Sequence, residues 1–106
     1  MLTERMTNFL LTLVVSAYCH CARCNGRAHQ LTASGAWPVA GVTVAAPRAI
    51  PFGARLHVPG VGWRVVQDRL ARRYDERVDV FMSSHREARR FGVRRVQIVV
   101  EQRRGT

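Results

Sequence analysis

Two aspartates of this chain stand where strand geometry can put a carboxylate to work. Asp79 interrupts the apolar run Arg77-Val78-Asp79-Val80-Phe81, and Asp68 closes the run Trp63-Arg64-Val65-Val66-Gln67 eleven positions earlier. Successive side chains of a strand point to opposite faces, so Asp79 looks away from both valines, toward a cleft or solvent opposite the core. Two acids at strand edges, joined by a short polar loop, have the types and spacing that acid/base chemistry on a glycosidic bond calls for. The same pattern also suits surface aspartates paired with some of the chain's many arginines.

Two further groups of residues carry chemistry. Leu31-Thr32-Ala33-Ser34-Gly35 is a hydroxyl-rich turn ending in a glycine, and the missing Cβ at Gly35 lets donors come close to a sugar; an ordinary turn with self-capped hydroxyls reads the same way. Cys19, Cys21 and Cys24 crowd into one short segment with His20 and His29 nearby. Cys19, Cys21, Cys24 and His29 make up a four-ligand set for zinc, but structural zinc sites more often show two separated pairs, so reduced thiols and no stoichiometric metal are expected. Trp37 and Trp63 suit either stacking on sugar faces or a core.

The elements that must position these groups are mostly strands. Thr12 to Tyr18 is β-branched enough for a first strand, and Val42-Thr43-Val44-Ala45 reads as another that ends at Pro47. Arg55-Leu56-His57-Val58 follows the turn Pro51-Phe52-Gly53, then Pro59-Gly60 turns the chain into Gly62 to Asp68. Arg94 to Val100 closes with Val96, Ile98 and Val100 inward. One segment is helical: Ser84 and Glu87 form a capping-box pattern, Ala88 and Phe91 share a stripe, and Gly92 is the stop.

In order and spacing, five of these segments resemble the 3D (three-aspartate) domain of bacterial cell-wall proteins, a family that includes stationary-phase survival proteins and the catalytic end of membrane-bound lytic transglycosylase A. They are Val15-Ser16-Ala17-Tyr18-Cys19-His20-Cys21-Ala22-Arg23-Cys24-Asn25-Gly26, Leu31 to Gly35, Ala49-Ile50-Pro51-Phe52-Gly53-Ala54-Arg55-Leu56, Arg77 to Phe81, and Ser84-His85-Arg86-Glu87-Ala88. The resemblance implies a mainly β fold, a small six-stranded double-psi β-barrel with one short α-helix. It sets residues 12–101 as the domain, 1–11 as an N-terminal extension and 102–106 as a frayed tail. It also implies that Asp79 and Asp68 are catalytic and that Thr32, Ser34 and Gly35 border the substrate groove. Two departures stand out: the family's first aspartate falls on Ala46, and the loop after the second reads Asp68-Arg69-Leu70-Ala71-Arg72-Arg73-Tyr74 in place of a Thr and a glycine-rich turn.

At 106 residues and 47% hydrophobic, the chain has the size of one compact domain. Its net charge of +10 comes from 17 arginines without a lysine, which favours polyanions but does not choose between nucleic acid and an anionic cell envelope. The apolar run Phe9 to Val15 is shorter than the ~20 residues of a membrane helix, so no membrane span is expected. It is also a poor signal peptide, with Glu4 beside Arg5 and a cut after Ala17 that would remove most of a strand. The expected setting is the cell envelope or the extracellular space, reached by lysis, as for a phage-encoded product, or through an accessory channel.

The functional expectation is lytic transglycosylase-like cleavage of peptidoglycan glycan strands, with no cofactor. The alternatives are a non-catalytic glycan-binding barrel and, from charge alone, a basic nucleic-acid-binding module, although no specific nucleic acid is expected.

Overall fold

The computed structural model describes residues 5–21 and 30–103 of the chain. Its elements run β1 (Met6–Tyr18), β2 (Thr43–Ala45), β3 (Arg55–Val58), β4 (Gly62–Asp68), a 3-10 turn (Arg72–Tyr74), β5 (Arg77–Phe81), α1 (His85–Phe91) and β6 (Arg94–Arg103). The six strands close into a barrel in the order β1-β5-β2-β4-β3-β6, so the expected mainly β, six-stranded barrel with one short helix is the fold. β1 lies parallel to β5 and β2 parallel to β4, while the other neighbours are antiparallel. Parallel neighbours cannot be joined by a tight turn, so the chain has to cross the barrel between them.

The interior is aliphatic. Val15, Val44, Leu56, Val66, Val78, Ile98 and Val100 have no exposed surface, and Val80 almost none. Each belongs to one cluster that Phe91 of α1 also joins. Val78 and Val80 are inside as the alternation predicts, and Ile98 and Val100 likewise, whereas Val96 is only partly buried against the cluster.

β1 is longer than its β-branched half suggests. Met6 to Val15 pairs antiparallel with Arg94 to Arg103, so pairing begins inside the stretch 1–11 set apart as an extension, and it takes Gln102 and Arg103 out of the frayed tail. The reason is periodicity: Phe9, Leu11 and Leu13 pack against the core on one face of the strand, while Leu10 is 58% exposed on the other.

α1 begins as its sequence signature requires. The Ser84 hydroxyl accepts the Glu87 N–H at 3.1 Å, and Ser83 Oγ donates to the Glu87 carboxylate at 2.6 Å. Ala88 and Phe91 are the buried residues of the helix, and Gly92 ends it at φ 71°, a left-handed value suited to glycine. No helix among the described residues is long and apolar enough to cross a membrane.

Candidate active site

The candidate site lies on the outer face of the barrel, where the ends of β1, β5, β2 and β4 meet. Parallel pairing sets Ser16 of β1 opposite Asp79 of β5 and Tyr18 opposite Phe81, and β2 adds Ala45 opposite Asp79. Because Val15, Val78 and Val80 face inward, strand alternation turns Ser16, Tyr18, Asp79 and Phe81 outward together. Tyr18, Ala45 and Phe81 form a second small apolar cluster on this face, covered by Leu70.

Asp68 reaches the same face through an irregularity. Thr43 pairs with Val65 and Val44 with Val66, but Ala45 pairs with Asp68, so Gln67 is an extra residue in β4. Simple alternation from buried Val66 would turn Asp68 inward. The bulge resets the count and aims it at the cleft, a recurrent use of bulges beside functional sites.

Each carboxylate is held by specific donors. The Ser16 hydroxyl donates to Asp79 Oδ1 at 3.1 Å. Asp68 Oδ2 accepts the Tyr18 hydroxyl at 2.7 Å, and its Oδ1 accepts the N–H groups of Ala33 and Arg69 at 2.9 and 2.8 Å. Among the described residues, the arginine salt bridges fall on Asp75 and Glu101, from Arg48 and Arg55, and not on these two acids. The reading of Asp68 and Asp79 as arginine-paired surface groups therefore fails in geometry.

Electrostatics separate the two acids further. Burial pushes the Asp79 carboxyl up to about 6; the Asp68 charge adds to this, and the Ser16 hydrogen bond and Arg77 oppose it without winning. Burial, followed by the charge of Asp68 and its hydrogen bond, raises the Tyr18 phenol well above its ordinary value, so Tyr18 remains a neutral donor. The result is one acid able to hold a proton near neutrality beside another whose oxygens accept several donors, the division of labour that acid/base sites rely on.

The cleft in front of Asp79 has a volume of about 500 Å³ and is lined by Ser16, Tyr18, Asp68, Asp79 and the loop from Arg69 to Tyr74. Arg73 and Arg77 each place a guanidinium 4.9 Å from the centre of the Tyr74 ring, making a cationic and aromatic lip. A smaller cleft of about 220 Å³ adjoins it, shares Tyr18, Asp68 and Arg69, and is lined also by Thr32. The loop after Asp68 is therefore a wall of the groove.

The hydroxyl turn meets the site in an unexpected way. Thr32 is buried and its hydroxyl donates to the Ala36 carbonyl at 2.8 Å, with Ser34 Oγ 3.0 Å away, so the two hydroxyls serve the turn itself. What touches an acid is the Ala33 N–H, on Asp68. Gly35 closes the turn at φ 91°. Ala46 is fully buried; its N–H donates to the Asp68 carbonyl, and its own carbonyl accepts Arg69 Nη1. The residue of that segment facing the groove is Ala45.

Trp37 and Trp63 are 59% and 41% exposed and line neither cleft, so they are not core residues. Arg55 stacks over Trp63 at 4.7 Å. The aromatic residues of the groove are Tyr18 and Tyr74, and neither was singled out from sequence, although Ser16 and Tyr18 share strand parity with each other as Asp79 and Phe81 do. Of the cysteine group, Cys19 and Cys21 are described, while Cys24 and His29 lie outside the described residues.

Fold and site together define a closed β-barrel with a two-carboxylate groove on its outer face. No family model and no curated protein sequence matches this chain.

Proposed function

We propose that this chain is a 3D-type, double-psi barrel that cleaves the glycan strands of peptidoglycan as a lytic transglycosylase in the cell envelope. The observation that carries the reading is Asp79: a groove carboxyl without a salt bridge among the described residues, raised to about 6 by burial, and held by the Ser16 hydroxyl. In this chemistry Asp79, protonated, gives its proton to the glycosidic oxygen as the bond to C1 breaks. As a carboxylate it then takes the proton of the sugar's own 6-hydroxyl, whose oxygen closes the 1,6-anhydro ring, so no water is consumed. Asp68, whose oxygens accept the Tyr18 hydroxyl and the N–H groups of Ala33 and Arg69, steadies the positive charge that develops at C1. The lip of Arg73, Arg77 and Tyr74 suits the carboxylates and apolar faces of a peptide-bearing glycan.

A second reading, a non-catalytic glycan-binding barrel, is favoured by one observation: the alanine at position 46, where the resembling family carries an acid, is fully buried. One experiment separates the two. Purified protein is incubated with peptidoglycan sacculi and the soluble products are analysed by mass spectrometry. Anhydro-muropeptides support the enzyme; retention on sacculi without soluble products supports the binding barrel.

A further inference from the structure

We propose that Cys19, Cys21 and His85 form a binding site for a single zinc ion that ties the end of β1 to the start of α1. The two thiols come from one end of the barrel's first strand. The imidazole comes from a residue more than sixty positions away, and it stands on both of them: His85 Nδ1 is 3.5 Å from Cys21 Sγ and 4.0 Å from Cys19 Sγ, and the sulfurs are 3.0 Å apart. All three ligand atoms lie within 4.8 Å of one another.

The fold brings them together for reasons that do not involve a metal. Parallel pairing carries Tyr18 alongside Phe81, and the Met82 N–H then donates to the Tyr18 carbonyl at 2.8 Å, so the residues after each strand emerge side by side. The Ser84 cap fixes the first residue of α1, and burial of Ala88 and Phe91 fixes the helix against the barrel. His85 is thus delivered to Cys19 and Cys21 by the backbone.

The donor chemistry selects the ion. Two thiolates and an imidazole suit a thiophilic cation of zinc type, bound with Zn–S about 2.3 Å and Zn–N about 2.0 to 2.1 Å. A tetrahedron with those bonds has S···N edges of about 3.6 Å and S···S edges of about 3.8 Å. The observed S···N distances already bracket the first value, and the sulfurs need to part by under one ångström. Cys19 and Cys21 would each release a proton to solvent on binding, and His85 would bind as the neutral imidazole through Nδ1. The imidazole of His85 on both sulfurs separates this site from a Cys19–Cys21 disulfide, which needs the two sulfurs alone. The site departs from the expectation of no stoichiometric metal, and it shares Cys19 and Cys21 with the set that spacing suggests, whose Cys24 and His29 lie outside the described residues.

The test reads metal content and is indifferent to glycan cleavage. The full chain is purified with a reducing agent and without chelator, supplied with equimolar zinc and dialysed, and its zinc measured by elemental analysis; cobalt is then substituted and its spectrum recorded. The expected result is ~1 zinc per chain and, with cobalt, thiolate-to-metal charge transfer with tetrahedral d–d bands. His85→Ala, at a half-buried helix start, should keep the β-barrel circular dichroism and lose at least tenfold in zinc affinity. Cys21→Ser removes one of the two thiolates and should lose about half of the charge-transfer intensity or more. Zinc well below stoichiometry in the wild-type chain overturns the site, as does full zinc retention by a folded His85→Ala variant. Loss on His29→Ala with retention on His85→Ala overturns it too, and so does a Cys19–Cys21 disulfide in the purified protein.

Discussion

Ser16 and Asp79 are opposite partners across the parallel β1–β5 pair, and the Ser16 hydroxyl donates to Asp79 Oδ1 at 3.1 Å. Register therefore fixes the orientation of the groove's most perturbed carboxyl. Burial raises that carboxyl more than this bond and Arg77 lower it.

Replacing Asp79 with Asn keeps the acceptor oxygen for Ser16 but removes the titrating proton. Release of anhydro-muropeptides should fall by about 10³-fold or more, within the range for positioned acid/base groups. Stability should move the other way. At about pH 3 and below Asp79 is protonated in the folded and unfolded chains alike; as pH rises from about 4 through about 6 the unfolded chain ionises first, and the native state gives up as much as about 3 kcal/mol. Asp79→Asn is spared that loss, so urea denaturation should find it more stable than wild type at pH 8 and close to it at about pH 3. Wild-type cleavage rates in the variant would remove Asp79 from the chemistry.

The pH dependence of cleavage follows from the same group. Proton donation needs Asp79 protonated, and a carboxyl near 6 is about one-tenth protonated at pH 7. The kcat/KM of a defined glycan oligomer should fall about tenfold per pH unit above about 6. A profile flat from pH 5 to 8 would show that this proton is not in the rate-determining step.

Tyr18 is the side chain that, with the N–H groups of Ala33 and Arg69, positions Asp68. Tyr18→Phe keeps the ring packed against Phe81, at 5.3 Å between centroids, and deletes the 2.7 Å bond to Asp68 Oδ2. A hydrogen bond to a charged group contributes about 1.5 to 3 kcal/mol, so activity should drop by roughly 10- to 100-fold with KM little changed. Asp68→Asn should cost about 10²-fold or more. Steady-state kinetics of the two variants and the double variant check the link: the double variant should be no worse than Asp68→Asn alone.

Much of this arrangement is legible in the sequence, and the rest is hidden for definite reasons. Val78-Asp79-Val80 announces a core face and a working face, and the Ser84 and Glu87 pattern announces α1. The face taken by Asp68 is not legible, because the bulge at Gln67 is a property of pairing with β2 and leaves no mark in the β4 run. Tyr18 and Ser16 lie on a strand whose apolar stripe draws the eye to its other face. His85 carries no ligand spacing relative to Cys19 and Cys21; strand pairing and the capped helix bring them together. The start of β1 is masked by a leader-like run of apolar residues whose alternation shows only once β6 lies beside it.

The groove lip should act on binding more than on chemistry. Among the described residues neither Arg73 nor Tyr74 hydrogen-bonds Asp68 or Asp79, so Arg73→Ala with Tyr74→Ala should raise KM severalfold and leave kcat within about twofold. A fall in kcat with KM unchanged would move the lip into the catalytic machinery.

The last prediction separates glycan from polyanion binding. Arg48 and Arg55 are engaged with Asp75 and Glu101, and Arg69, Arg73 and Arg77 line a groove that also holds two carboxylates. Among the described residues no run of arginines forms a groove-entering element of the kind that reads bases: α1, with Arg86, Arg89 and Arg90, is only seven residues long. DNA or RNA should therefore bind through phosphate neutralisation alone, without sequence preference and with affinity falling steeply as salt rises. Retention on sacculi draws on hydrogen bonds within the groove and should persist to physiological salt, where screening confines charge effects to about 8 Å. Parallel salt titrations of a mixed-sequence duplex, a single-stranded RNA and purified sacculi make the comparison. Sequence-selective nucleic-acid binding that survives physiological salt, with no retention on sacculi, would replace the glycan reading with a nucleic-acid module.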